Sequence, residues 1–266
     1  KNMKKITIAV ITIVIILAAA IGLARQQAHH KQASTDTISP NTLTIGLEGT
    51  FAPFSYRQDG KLTGFEVDLS TAIAKKLDLK PKYVQTKWDS LIAGLGSKRY
   101  DVIFNDVGVT PERQQAYRFS TPYLYAKTVL IKRKNNTQLN SLADLKGKKM
   151  AQSTTSNFGV LAKKSGAEIV AVPGMTEAMN MVTTQRADGA LNDLGAYATW
   201  QKANPDADTT AIDLSKESPA APAAPLLAKN NKKLQQRIDQ AIADLKQDGT
   251  LQKLSLTYFN ADLTKK

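Results

Sequence analysis

The chain of 266 residues contains no cysteine. Without a thiol there is neither a disulfide framework nor a thiolate metal site, and no lipid can be attached through an amino-terminal cysteine. Histidine is almost absent too. His29 and His30 are the only two, so there is no H-E-x-x-H motif, and no phosphate-binding glycine loop is present either. Zinc-finger and RNP-type motifs are missing, which argues against a nucleic-acid partner. These gaps are consistent with a protein that needs no metal and no cofactor.

Acidic residues are in deficit, with 23 Asp and Glu against 36 Lys and Arg. Residues 1–33 hold five of the basic groups and no acid, so the remainder has 31 basic against 23 acidic residues, an excess of eight. Such an exterior attracts anionic headgroups or wall polymers, or serves solubility alone; an adhesive role, with or without transport, stays open.

Lys1, Lys4 and Lys5 precede an uncharged run from Ile6 to Ala24, followed by Arg25, His29, His30 and Lys31. Its 19 residues exceed the ~7–15 of a secretory signal core and approach the ~20 that span a bilayer. The run predicts an N-terminal apolar helix that anchors the chain with its amino end cytoplasmic. The remainder would then lie at the cell surface. Small residues at Ala18, Ala20 and Ala24 keep cleavage and secretion as the other outcome. From Ala28 to Asn41 the chain is polar and unpatterned, as a tether would be. Anchor or signal and tether together take residues 1–41.

After the tether the pattern alternates. A strand at Leu43–Leu47, a helix at Glu66–Leu77 with Leu69, Ile73 and Leu77 on one face, a strand at Tyr83–Thr86, a helix at Trp88–Ser97 and a strand at Val102–Phe104 imply a helix-covered parallel sheet. The alternation restarts with a strand at Lys149–Gln152, a helix from Ser156, a strand at Ile169–Val172, a helix at Thr176–Gln185 and a strand near Gly189–Leu191. Arg99 to Asp106 and Arg186 to Asp193 share the pattern R-x-D-x-x-x-N-D, an internal echo. If the lobes share a topology, Asp106 and Asp193 occupy equivalent strand ends and face each other across a cleft. Chance or simple strand-end turn chemistry is the other explanation of so short a match.

Pro219, Pro222 and Pro225 mark an extended return segment between lobes, and helices at Leu234–Leu245 and Leu251–Phe259 close the chain. The expectation is an α/β clamshell of two lobes joined by a two-stranded hinge, with residues 42–126 plus 224–266 in one lobe and 127–223 in the other. The stretch from Asp101 to Tyr123 is the most informative one. A doubly buried strand runs into Asn105, Asp106 and Gly108, where open α/β sheets bind ligands, and then into a helix start carrying Arg113. That residue's planar fork suits a carboxylate; on residue type alone it is as well read as a solvated arginine.

The segments GLEGTFAPFSY (46–56), GKLTGFEVDLSTAIAKKL (60–77), WDSLIAGL (88–95), NDVGVTPER (105–113), FSTPY (119–123), LKGKKMAQSTTSN (145–157), RADGALND (186–193) and DGTLQKL (248–254) together resemble the polar amino-acid solute-binding proteins of ABC importers, the family 3 type. WDSLIAGL, TPER and QSTTSN look most like its cystine-binding branch. The resemblance implies a periplasmic-binding-protein-like type II clamshell, a free amino acid as ligand, ABC permease subunits as partners and a monomeric receptor that is not an enzyme. It implies that Arg113 clamps the α-carboxylate with Thr154 and Thr155, at the start of a helix whose amino end favours an anion. Asp193 would pair with the α-ammonium and Glu48 would lie near it. Phe51 would pack over the ligand, and Trp88 would border its side chain. Read singly, the threonines and Asp193 are helix caps and the aromatics are core.

The chain departs from its relatives at two positions. Gly108 stands where Ser or Thr is usual and leaves only its backbone N–H for the carboxylate. Asp106 replaces a small or amide residue, which favours a ligand with a second ammonium, such as cystine or a basic amino acid, unless a lysine neutralises it internally. Some proteins of this fold are dehydratases, and Glu48, Asp106 and Asp193 offer acid–base groups for such chemistry.

Overall fold

The computed structural model describes residues 36–219 and 221–265. The apolar run and the first part of the tether lie outside the described residues. Among the described residues no helix is long and apolar enough to cross a membrane. The tether is shorter than expected from its composition. Asp36 pairs with Arg237 at 3.0 Å, and the Ile38 N–H donates to Asp101 Oδ1 at 2.6 Å.

The first sheet runs in the order β4, β1, β5, β12, β6. Its strands are β1 (Thr42–Leu47), β4 (Lys80–Gln85), β5 (Val102–Ile103), β6 (Tyr117–Phe119) and β12 (Leu226–Ala228). β1 is parallel to β4 and β5, whereas β12 is antiparallel to β5 and β6. The second sheet runs β9, β8, β10, β7, β11 when read in the matching direction. Here β7 (Thr128–Arg133), β8 (Lys149–Gln152), β9 (Glu168–Ala171), β10 (Gly189–Asp193) and β11 (Thr209–Asp213) form two parallel and two antiparallel pairings. The orders correspond strand for strand, so the two lobes share one plan.

The echo has a physical basis in this plan. In the first lobe the Asp101 N–H donates to the Thr44 carbonyl, and Asp101 Oδ2 accepts the Thr44 N–H at 2.7 Å. In the second, the Asp188 N–H donates to the Lys149 carbonyl, and Asp188 Oδ2 accepts the Lys149 N–H at 2.8 Å. Each aspartate thereby fixes the register of a central strand against its parallel neighbour before that strand begins.

Between the sheets the chain crosses twice. Leu124 and Gly108 both bridge to Ala223, and the Ala223 N–H donates to the Leu124 carbonyl. Two antiparallel crossing segments thus join the lobes, as the prolines forecast. A small two-stranded ribbon, β2 (Tyr56–Gln58) with β3 (Lys61–Thr63), precedes the first helix; no apolar alternation announces it.

Helix α1 (Phe65–Lys76) buries Phe65, Leu69 and Ile73 on one face, as the sequence spacing predicts. The predicted helix at Trp88–Ser97 is divided into α2 (Trp88–Leu91) and α3 (Ala93–Gly96), with Ile92 still helical between them. α4 (Pro111–Ala116) starts with Thr110, whose hydroxyl accepts the Arg113 N–H; proline at the first position suits a helix that needs no donor there. The second lobe contributes α5 (Asn157–Lys164), α6 (Met175–Thr183) and α7 (Leu194–Ala203). α8 (Lys232–Gln247) and α9 (Thr250–Phe259) end the chain, and both pack on α1 of the first lobe.

α1 depends on Gly64. The first free N–H groups of the helix, at Phe65 and Glu66, donate to the carbonyls of Pro53 and Phe54, both at 2.9 Å. This approach leaves no room for a side chain. A Cβ on Gly64 would lie 2.3 Å from the Phe54 oxygen, and φ there is 129°. Gly64→Ala should therefore cost at least about 1 kcal/mol and lower the melting temperature by roughly 2–4 °C or more. A thermal melt indistinguishable from the parent would show that the approach relaxes freely.

Candidate ligand-binding site

The loop after β5 is held from below by a residue that sequence reasoning placed only at a helix start. Glu66 is fully buried. Its Oε1 accepts the Asp106 N–H at 2.6 Å and the Tyr123 hydroxyl. Asp106 is thereby fixed in the left-handed region, with φ at 46°, a conformation that aspartate tolerates better than most residues. Asn105 faces the other way: its amide oxygen accepts the Glu48 N–H at 2.8 Å, and its amide nitrogen donates to Glu48 Oε2 at 2.7 Å.

A cavity of about 560 Å³ lies between the lobes. Glu48, Phe51, Trp88 and Asp106 line it, together with Phe158 and Met175 of the second lobe. A smaller recess adjoins it. Asp106, Gly108, Asp193 and Asn157 border that recess, so Asp106 and Asp193 do meet, as the echo led one to expect. Among the described residues no lysine forms an ion pair with Asp106; the ion pairs lie elsewhere.

Phe51 stacks on Phe54 with ring centroids 4.8 Å apart. The guanidinium of Arg113 lies 5.3 Å over the Trp88 ring. Its Nη1 donates to the Gly108 carbonyl at 2.8 Å, and its Nη2 to the Thr155 carbonyl at 3.4 Å. It is thus oriented by an indole face and two backbone oxygens at the seam of the lobes, although it does not itself line the cavity.

Thr154 and Thr155 stand differently. Both are exposed, and neither lines the cavity or the recess. Ser156 caps α5, accepting the Gly159 N–H at 2.9 Å. The Thr155 hydroxyl instead donates to Asp89 Oδ1 at 2.8 Å, and the Ser153 hydroxyl donates to the same oxygen at 2.9 Å. Asp89 belongs to α2 of the first lobe, so these bonds cross the cleft. Side-chain direction separated the threonines from the cavity, and no motif carries that information.

Asp193 does two things. Its Oδ1 accepts the N–H groups of Gly195 at 2.6 Å and Ala196 at 3.2 Å, capping α7; Oδ2 takes no part in the cap. At Gly108 a side chain would fit tightly. A Cβ there would lie 3.2 Å from the Ala221 Cβ and 3.6 Å from the Asn157 amide. Asn157 thus sits beside Gly108. Glu66 and Asn157 escaped sequence reasoning; Asn105 was placed in the ligand-side loop and marked by the repeated Asn-Asp of the echo, but its hold on Glu48 was not foreseen.

The electrostatics are those of a buried acidic cleft. Burial pushes the Glu66 carboxyl up to about 7, against the lowering effect of the Tyr123 and Asp106 donors. Asp193 is raised to about 7 by burial despite its two N–H donors. Asp106 is raised well above the ordinary carboxylate range by burial, then by Asp193 and Glu66, with Arg113 opposing. Glu48 is raised by burial, with Asn105 opposing. A carboxyl whose folded value exceeds its unfolded one destabilises the fold once ionised. That penalty is absent well below the ordinary values of 3.8 and 4.5 and grows until the folded values near 7 are passed. Stability of the ligand-free chain should accordingly fall between about pH 5 and pH 7.5, and Glu66→Gln, which keeps the Oε1 acceptor, should flatten that slope. Parallel melting curves against pH for parent and variant would remove Glu66 as a source.

Two α/β lobes of one plan, joined by two crossing segments around an acidic cavity with an oriented arginine at its edge, define a solute-binding clamshell. The chain belongs to the bacterial extracellular solute-binding proteins, family 3, whose family model matches residues 43–261. It is 35% identical to the L-cystine-binding protein TcyA of Bacillus subtilis, over 99% of this chain and 100% of that one. Among solved structures, the L-cystine solute receptor of Neisseria gonorrhoeae in its unliganded open conformation is 40% identical, with a TM-score of 0.59, covering 85% of this chain and 95% of the receptor. An ancestral arginine-binding protein bound to arginine is 31% identical but has a TM-score of 0.76, covering 82% of this chain and 98% of its own. The better superposition on the liganded structure accords with the bonds that cross the cleft at Asp89. The chain is thus an extracytoplasmic amino-acid-binding protein of the ABC-transporter type.

Proposed function

We propose that this receptor closes on free cystine and delivers it to an ABC permease. One observation carries the reading: a cavity of about 560 Å³ between the lobes is bordered by carboxylates, with Arg113 oriented at the seam of the lobes beside the loop that carries Asp106 and Gly108. That volume falls in the range of ordinary small-molecule sites, roughly 300–1,000 Å³, and leaves room for an amino acid as long as cystine. In this reading Arg113 and the Gly108 N–H hold the α-carboxylate, and Asp193 Oδ2 with Asp106 receives the α-ammonium. Phe51 and Trp88 flank the ligand. Thr154 and Thr155 act through closure, Thr155 by its bond to Asp89, rather than by lining the cavity. The cystine-binding relatives support this choice of ligand, and the arginine-bound structure keeps basic amino acids as competitors in any test.

The lobes are taken as residues 42–126 plus 224–266 and 127–223, in keeping with the strands of each sheet. Residues 1–41 serve as membrane anchor or export signal, and the receptor acts as a monomer. Receptor rather than enzyme is the reading because the carboxylates already hold positions: Glu48 is bound by Asn105, and Asp193 caps α7. The basic exterior is assigned to solubility.

Ligand binding at a hundredfold excess over Kd should stabilise the fold by about 2.7 kcal/mol. In melting scans of the full chain against all common amino acids plus cystine, cystine should give the largest shift. Arg113→Ala should cost about 2–5 kcal/mol of binding, read by calorimetry, with little change in the ligand-free melt. Absence of a shift with every amino acid would sink the receptor reading, and unchanged affinity in the variant would remove Arg113 from the site.

A further inference from the structure

α9 packs on α1 of the first lobe, yet its last residue, Phe259, meets the second lobe. A Cβ built on Gly195, the second residue of α7, would stand 2.7 Å and 2.9 Å from two carbons of the Phe259 ring. The backbone does not require glycine there, since φ lies outside the left-handed region. The missing side chain is therefore the space that the ring uses. The next residue, Ala196, is fully buried in the hydrophobic cluster of the first lobe, the same cluster against which Phe259 packs. The first turn of α7 is thus seated in the opposite lobe.

That turn holds Asp193. The N–H groups of Gly195 and Ala196 are the two donors to Asp193 Oδ1, at 2.6 Å and 3.2 Å. Hydrogen bonds to an ionised carboxylate are short and strong, so a displacement of Gly195 carries the carboxylate with it. The same ring has a second connection to the site. Phe259 lies 5.4 Å from Phe54, and Phe54 stacks at 4.8 Å on Phe51 of the cavity wall. Phe65 meets the Phe259 ring edge-on at 5.1 Å, and Asn260, in the left-handed conformation, ends α9 directly after it. Aromatic pairs at such separations favour particular ring orientations. Phe259 itself lines neither the cavity nor the recess.

We infer that Phe259 is a positioning residue for the ligand clamp: its ring seats the first turn of α7 and so aims Asp193, and through Phe54 it braces Phe51. The inference rests on the receptor reading, in which Asp193 receives the α-ammonium and Phe51 flanks the ligand. A single side chain at the end of the last helix then serves the acid of one lobe and the aromatic wall of the other.

Calorimetry on the full chain tests this with cystine, or with whichever common amino acid stabilises the parent more. Gly195→Ala, which drives a methyl into the ring, should weaken binding at least thirtyfold, and Phe259→Leu, which removes the ring, about fivefold. Combining the two makes room for the methyl and should recover at least threefold of the affinity that Gly195→Ala loses. Leu254→Ala, which truncates a half-buried residue of the same helix, should lower the melting temperature while keeping affinity within twofold of the parent. Gly195→Ala leaves the aromatic side chains unchanged and carries the test if Phe259→Leu fails to fold, as the ligand-free melts will show. Parent-like affinity in Gly195→Ala, no recovery in the double variant, or an equal loss in Leu254→Ala would each overturn the inference while leaving the receptor standing. Failure of every amino acid to bind the parent would instead bring down the receptor reading on which it rests.

Discussion

Glu66 holds the Asp106 N–H and the Tyr123 hydroxyl through one carboxyl oxygen, while its other oxygen is buried without a partner. The geometry of the cleft follows from that arrangement. It fixes Asp106 in a left-handed turn, and the turn directs Asp106 toward Asp193 and brings the Gly108 carbonyl to Arg113. The carboxyl can occupy this place because α1 starts where it does, with its first N–H groups donated to the carbonyls of Pro53 and Phe54 across Gly64. A backbone contact at the edge of the first lobe thus decides where a guanidinium at the seam points.

The acidic cleft is costly to keep empty and charged. Burial outweighs the hydrogen bonds of Glu66 and Asp193 and raises both to about 7, and a cation beside Asp106 and Asp193 would favour their charged forms. Burial energy and ligand recognition are therefore linked through the same groups. The bonds from Ser153 and Thr155 to Asp89 bring the lobes together at the mouth, so closure and charge neutralisation act on neighbouring residues.

Much of the fold was legible in the chain. Apolar spacing in Leu69, Ile73 and Leu77, in Leu234, Ile238 and Ile242, and the doubly buried Val102–Phe104 stretch announced helices and a central strand within a residue or two of their ends. The shared R-x-D-x-x-x-N-D pattern announced a repeated lobe, and its aspartates proved to be register clamps on equivalent strands. Strands such as β6, β11 and β12 went unannounced. They are short, and antiparallel partners far along the chain, rather than local alternation, define them. The β2–β3 ribbon is likewise marked by its turn at Asp59-Gly60 more than by its polar strands.

For the site, the strand-end pattern singled out Asp106, Asp193 and Arg113, whereas the roles of Arg113 and Asp193 and the choice of Glu48, Phe51 and Trp88 came from the resemblance to a family rather than from residue chemistry alone. Their convergence on one cleft, and the diversion of Thr155 to Asp89, depended on how two lobes meet. So did the places of Glu66 and Asn157: a carboxylate at a helix start and an amide at a first turn look alike in any sequence. Sequence by itself determined the two-lobed α/β plan, because periodicity and turn chemistry are local. Tertiary structure alone decided which polar groups face the cavity and which are consumed elsewhere, because hydrogen bonds and burial are settled between residues distant along the chain.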